Sequence, residues 1–95
     1  MFIHIFLFRW NAGVSETQKL DAVHEIQAFQ DVVPGLHEVL IGENVSSRGG
    51  GFELGGVMKF ADAATYRAYE EHPAHQALLR WLVPLIEAVE IDFPL

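Results

Sequence analysis

The sequence predicts an α+β fold, with a four-stranded sheet and helices on one face in the order β-α-β-β-α(α)-β. Three observations predict it. A β-branched and aromatic run opens the chain and an alternating run closes it. One long stretch with helical periodicity follows the first run, and a second helical region, broken by a proline, precedes the last. The 95 residues are enough for one domain, expected to span residues 1–95.

Met1 to Trp10 (MFIHIFLFRW) is too short for a lone helix and reads as a strand. Period-two sorting puts Phe2, His4, Phe6, Phe8 and Trp10 on one face, and Ile3, Ile5, Leu7 and Arg9 on the other. Both faces are apolar, so the strand should be central. After a turn at Asn11 to Val14, Ser15-Glu16-Thr17-Gln18 has the form of a capping box. The helix it starts runs to about Val33, with Leu20, Val23, Ile26, Phe29 and Val33 as the expected buried stripe, until Pro34-Gly35 stops it. Leu36 to Val45 has mixed faces and suits an edge strand.

Ser46 to Gly51 is a flexible connection, and Phe52 to Phe60 a third, central strand. Gly55-Gly56 inside it predicts either a bulge or a close approach by backbone or ligand. Asp62 can cap a helix carrying Tyr66 and Tyr69. That helix ends at His72, because the residue before a proline is pushed out of the α region. Pro73 then fits the first position of a new helix with His72 as its N-cap. This helix carries Leu78, Trp81, Leu82 and Ile86, with a kink expected near Pro84. Ala88 to Phe93 closes the sheet as an edge strand, with Val89, Ile91 and Phe93 expected to face in and Glu90 and Asp92 out. Right-handed crossovers and short connections lead from this order to a ferredoxin-like split βαβ protomer.

Composition bounds the function. Half the residues are apolar and the mean hydropathy is positive, which is rich for a small monomer. The uncovered sheet face is therefore expected to pack on a copy of itself, giving a homodimeric α+β barrel. The net charge is −7 and the six Lys and Arg are scattered, so nucleic acid and anionic membrane are not expected partners. There is no cysteine, which excludes disulfides, thiol nucleophiles and Cys-ligated metals. The apolar run Phe2 to Phe8 contains His4 and has no basic segment before it. It reads as neither signal peptide nor membrane span, and a cytoplasmic protein is expected.

The residues able to do chemistry cluster at Tyr69 and His72-Pro73-Ala74-His75. His75 falls in the first turn of a helix, where the backbone dipole favours a neutral imidazole, the form that can act as a general base. Tyr69 can hydrogen-bond a substrate oxygen or orient that imidazole, and His4 can point under the helices into the same space. Phe6, Leu54, Tyr66 and Trp81 are the expected pocket lining, and the expected ligand is a small apolar carbonyl or aromatic compound. The same residues also have a purely structural explanation. In it His72 and Pro73 are a helix cap, His75 bonds a backbone carbonyl, and Tyr69 is core. No HExxH or carboxylate triad appears, so no metal site is assigned, and no cofactor motif is present.

These residues resemble the stress-responsive A/B barrel family over nearly the whole chain. The likeness rests on Ile3-His4-Ile5, Pro34-Gly35, Gly42-Glu43-Asn44, Gly51-Phe52 and, most specifically, Tyr69 followed by His72-Pro73-Ala74-His75. The resemblance implies a ferredoxin-like protomer and a barrel-forming dimer. Some plant members resemble polyketide cyclases, which work by aldol chemistry without metal or cofactor. By that likeness His75 is the base, Tyr69 its assistant and His4 a further pocket residue. Leu54 departs from the cyclase-type pattern, which has a histidine there. Three readings follow: a cofactor-free cyclase, lyase or isomerase, a non-catalytic stress or ligand-binding protein, and, by likeness to other dimeric α+β barrels, a cofactor-free oxygenase.

Overall fold

The computed structural model describes residues 1–95. Residues Phe2–Trp10 form β1, and their alternation decides the layering. His4, Phe6 and Phe8 are buried beneath the helices, while Ile5 and Leu7 lie half-buried on the opposite face. β1 pairs antiparallel with β3 (Leu54–Phe60) on one side and β4 (Ile86–Pro94) on the other, and β2 (Leu36–Glu43) pairs antiparallel with β3. The order β2-β3-β1-β4 puts the two strands with apolar faces in the centre and the mixed strands at the edges. This is the ferredoxin-like arrangement that the sequence predicts.

Local signals start the helices. In α1 (Glu16–Val32) the Gln18 amide donates to Ser15 Oγ at 3.1 Å, and the Ser15 amide donates to Gln18 Oε1 at 2.9 Å. The Asp62 carboxylate and Thr65 make the matching pair at the start of α2 (Ala63–Glu71). α3 (Pro73–Leu82) begins on the proline, and its cap is the His72 ring, whose Nδ1 accepts from the Ala74 amide at 3.0 Å. The helices bury their apolar stripes on the sheet, around a core that includes Met58, Phe60 and Leu82. Full burial of side chains of this size contributes about 1.5–3 kcal/mol each.

The structure departs from expectation in four places. The α1 stripe is Ala22, Ile26, Phe29 and Val33, whereas Leu20 is 56 % exposed. Spacings of four, three and four keep those residues on one line, and Leu20 falls two residues out of phase. No bulge interrupts Gly55-Gly56, since both stay in register with β1; the irregularity lies in β2, between Leu36 and Glu38. Pro84 does not kink a continuing helix. It has no N–H to extend the α3 ladder, so the chain tightens into a 3₁₀ turn at Val83–Leu85 and enters β4 at Ile86, before the expected Ala88.

The fourth difference matters most for the site. On β4 the sides are reversed. Glu90 lies opposite Phe6 and Asp92 opposite His4, on the helix side. Val89, Ile91 and Phe93 lie opposite Leu7, Ile5 and Ile3, on the open face. That open face continues through Val57 and the exposed Leu40, and is rimmed by the ion pairs Arg9–Glu87 and Lys59–Glu38. No helix is long and apolar enough to cross a membrane.

Candidate active site

The junction between α2 and α3 builds the site. Helix α2 leaves its last carbonyls without partners. The Glu70 carbonyl accepts from His75 Nδ1 at 3.0 Å and from Gln76 Nε2 at 2.7 Å. A carbonyl can only accept, so His75 Nδ1 carries the proton and Nε2 keeps the lone pair of the neutral ring. His72 has the opposite arrangement: its Nδ1 accepts and its proton sits on Nε2. One histidine thus caps a helix, while the other presents a basic nitrogen.

The Tyr69 ring lies against the His75 ring, with centroids 4.3 Å apart and planes inclined by 35°. Phe29 packs edge-on to both rings, and Phe60 packs on Tyr69. Burial, reinforced by the neighbouring Tyr66 and the charges of Glu90 and Glu70, pushes the Tyr69 phenol well above its ordinary range. A protonated phenol at this position is available as a hydrogen-bond donor.

His4 reaches the same space from the sheet. Its Nδ1 lies 2.5 Å from Asp92 Oδ1, and Tyr66 donates to Asp92 Oδ2 at 3.3 Å. An ionised carboxylate only accepts, so Asp92 fixes the His4 proton on Nδ1 and leaves Nε2 as the free nitrogen. Burial, then the charge of Asp92, raises the Tyr66 phenol as well.

These groups border a cavity of about 110 Å³ between the sheet, α1 and α3. His4, Tyr69 and His75 all line it, together with Phe6, Leu78 and Ala88. Three residues expected in the wall are not there. Leu54 is core beside Phe8, Tyr66 stacks on Phe2 at 4.9 Å, and Trp81 packs on the outside of the core. The cavity lies over β1 and β4 rather than over β3, so Leu54 does not meet it. Sequence reasoning missed Asp92 and Glu90, which alternation had assigned to the outer face. The usable signal was topological: pairing the first strand with the last sets position 4 against 92 and position 6 against 90.

A larger hollow of about 550 Å³ lies beside the 46–51 loop, but it is open and polar and has no histidine or tyrosine in its wall. No three His, Cys, Asp or Glu side chains converge closely enough to hold a metal ion. The cavity is a compact, mostly apolar space with a phenol, Tyr69, and two imidazoles, His4 and His75, in its wall.

A family model described as the stress responsive A/B barrel domain matches residues 2–95. Among solved structures, a dimeric ferredoxin-like protein of unknown function from Thermobifida fusca is 27 % identical, with a TM-score of 0.85 over 99 % of this chain and 90 % of that one. The Arabidopsis thaliana protein At3g17210 is 17 % identical, with a TM-score of 0.90 over 100 % and 95 %. A hydroxynitrile lyase from Passiflora edulis is also 17 % identical, with a TM-score of 0.84 over 98 % and 93 %. At 17 % identity the likeness is one of fold alone. No curated protein matches the chain.

Proposed function

Because this chain belongs to the stress responsive A/B barrel domain family, we propose that it is a small dimeric barrel enzyme that uses His75 as a general base on a compact carbonyl compound, without a cofactor. One observation carries the proposal: the Glu70 carbonyl holds the proton on His75 Nδ1, which leaves Nε2 basic beside a protonated Tyr69 in an apolar cavity. In either a cyclase or an isomerase step, Nε2 takes the proton from the carbon next to the carbonyl, the electron pair moves into an enolate, and Tyr69 donates to its oxygen. In an isomerase the imidazolium returns the proton to another carbon of the enolate; in a cyclase the enolate carbon attacks a second carbonyl of the same molecule, and the imidazolium protonates the alkoxide formed there. In a lyase step, Nε2 takes a hydroxyl proton, the adjacent carbon–carbon bond breaks, and the leaving carbon receives the proton. The fold shared with a hydroxynitrile lyase supports including that class. His4, fixed by Asp92, is the third polar contact for the substrate.

Size narrows the substrate. A cavity of about 110 Å³ has room for roughly three to four waters. Pockets for drug-sized ligands run about 300–1,000 Å³. A short aldehyde, ketone or cyanohydrin fits this reading better than a long polyketide chain. The test is turnover of a panel of such compounds by the wild type and by His75→Ala. General-base loss is expected to cost about 10²–10⁴-fold, with the assembly unchanged. Equal turnover by the variant on a confirmed substrate removes His75 from the role.

A second reading, a non-catalytic ligand-binding or stress protein, is favoured by the local use of both HPAH rings: His72 caps α3 and His75 caps the end of α2. On that reading His75→Ala mainly lowers stability, by about 1–3 kcal/mol, and no member of the panel turns over.

A further inference from the structure

The cavity wall contains one carboxylate, Glu90, and no lysine or arginine. Glu90 is on the helix side of β4, opposite Phe6, so a second copy packed on the open face would leave it uncovered. It takes no part in an ion pair. The pairs in the chain are His4–Asp92, Arg9–Glu87, Lys19–Glu16 and Lys59–Glu38. Its charge nevertheless acts on the site, since it helps to hold both Tyr66 and Tyr69 protonated. An apolar wall beside a single unneutralised carboxylate repels an anionic ligand and holds a cationic one.

We propose that Glu90 sets the ligand class of this cavity, selecting a compact apolar carbonyl compound that carries a protonated nitrogen and rejecting carboxylates. The proposal rests on the cavity being the ligand site, and deepens that reading by assigning a charge to the ligand. The competing role for Glu90 is that of a solvated charge on an edge strand, which discourages pairing with other chains. An edge charge of that kind leaves ligand ranking untouched, so the two roles separate experimentally.

The probes are isobutylammonium, isobutanol and isobutyrate, which share one small apolar body. Each is titrated at neutral pH and low salt into the protein, with the ring signals of His75 and Tyr69 followed by NMR. The wild type should bind isobutylammonium about five-fold more tightly than isobutyrate, a modest ratio because the Glu90 carboxylate is exposed, and added salt should narrow the gap. Glu90→Gln should bring the two charged probes within about two-fold of each other, and Glu90→Lys should reverse their order. The same ranking in wild type and Glu90→Gln, or isobutyrate binding as well as isobutylammonium, overturns the proposal. Isobutanol tests the cavity alone. If none of the three probes moves the His75 and Tyr69 signals, the ligand-site reading fails and this proposal falls with it.

Discussion

His4 and Asp92 face each other across the β1–β4 pair, with Nδ1 and Oδ1 2.5 Å apart although the two residues stand 88 positions apart in the chain. The contact joins the first and last strands under the helices, where His4 is buried and Asp92 also accepts from Tyr66. Removing the carboxylate leaves a buried imidazole donor without its acceptor. Asp92→Ala is therefore expected to cost about 1–2 kcal/mol, at the lower end for a buried group because Asp92 is partly exposed. For a domain of this size that corresponds to a melting midpoint lower by roughly 5–15 °C, read at fixed protein concentration. Asp92→Asn keeps an acceptor and should recover much of the loss. An unchanged midpoint in Asp92→Ala would mean that the pair contributes nothing to the fold.

Tyr66 and Tyr69 make a prediction about alkaline pH. Burial and nearby carboxylates raise both phenols above the ordinary value of 10.0. In the unfolded chain they ionise near that value, so above it the unfolded state binds fewer protons than the native state. Stability from this source is fully present below about pH 10 and falls as pH rises above it. Denaturation midpoints measured across this range should decline more steeply for wild type than for Tyr66→Phe or Tyr69→Phe. Absorbance titration of the native protein should show the two phenols ionising late. Ionisation of both near pH 10 in the folded protein would contradict the burial argument.

What the sequence made legible was mostly local. Ser15 with Gln18, the cap Asp62, and His72 with Pro73 each define a helix end from a few neighbouring residues, and each forms as read. The bringing together of His4, Tyr69 and His75 was legible for a related reason: a central strand and a helix junction leave few places for polar groups. The orientation of β4 was not. Alternation sorts Val89, Ile91 and Phe93 from Glu90 and Asp92, but it does not say which set meets the helices. The rule that apolar residues turn inward then chose the wrong side, because the more apolar face of this strand is the open one. Leu54, Tyr66 and Trp81 were misplaced in the pocket wall because the position of a void depends on how α3 sits over β4, which no local pattern encodes.

Of the two adjacent glycines in β3, Gly56 is the one that packing requires. A Cβ there would clash with the Phe6 ring, whereas one at Gly55 would meet only Leu7 Cδ2, at an ordinary 3.6 Å. Phe6 is buried and borders the cavity, so Gly56→Ala has to push its ring out of place or into the void. The expected cost is about 1–3 kcal/mol, as for overpacking a core. Gly55→Ala should stay within about 0.5 kcal/mol of wild type. Denaturant melts of the two neighbouring variants make the comparison, and equal costs would show that Phe6 relaxes freely. Binding of the small alcohol probe should weaken only in Gly56→Ala.

Ile91 tests the proposed assembly. It is 56 % exposed in the single chain, opposite Ile5, and shares the open face with Leu7, Val57 and Val89. In an isolated protomer a glutamate at this position stays in water and costs little. In a dimer formed by packing two open faces together, it would bury a charge without a partner, at a cost of several kcal/mol. Ile91→Glu is therefore expected to elute and scatter light as a monomer, with its helices and sheet intact by circular dichroism, while wild type behaves as a dimer. The cavity opens on the other side of the sheet, so His75 and Tyr69 in the monomer should still respond to the small alcohol probe. A variant that remains dimeric would place the interface elsewhere, and the apolar face of β1 and β4 would then need a different partner.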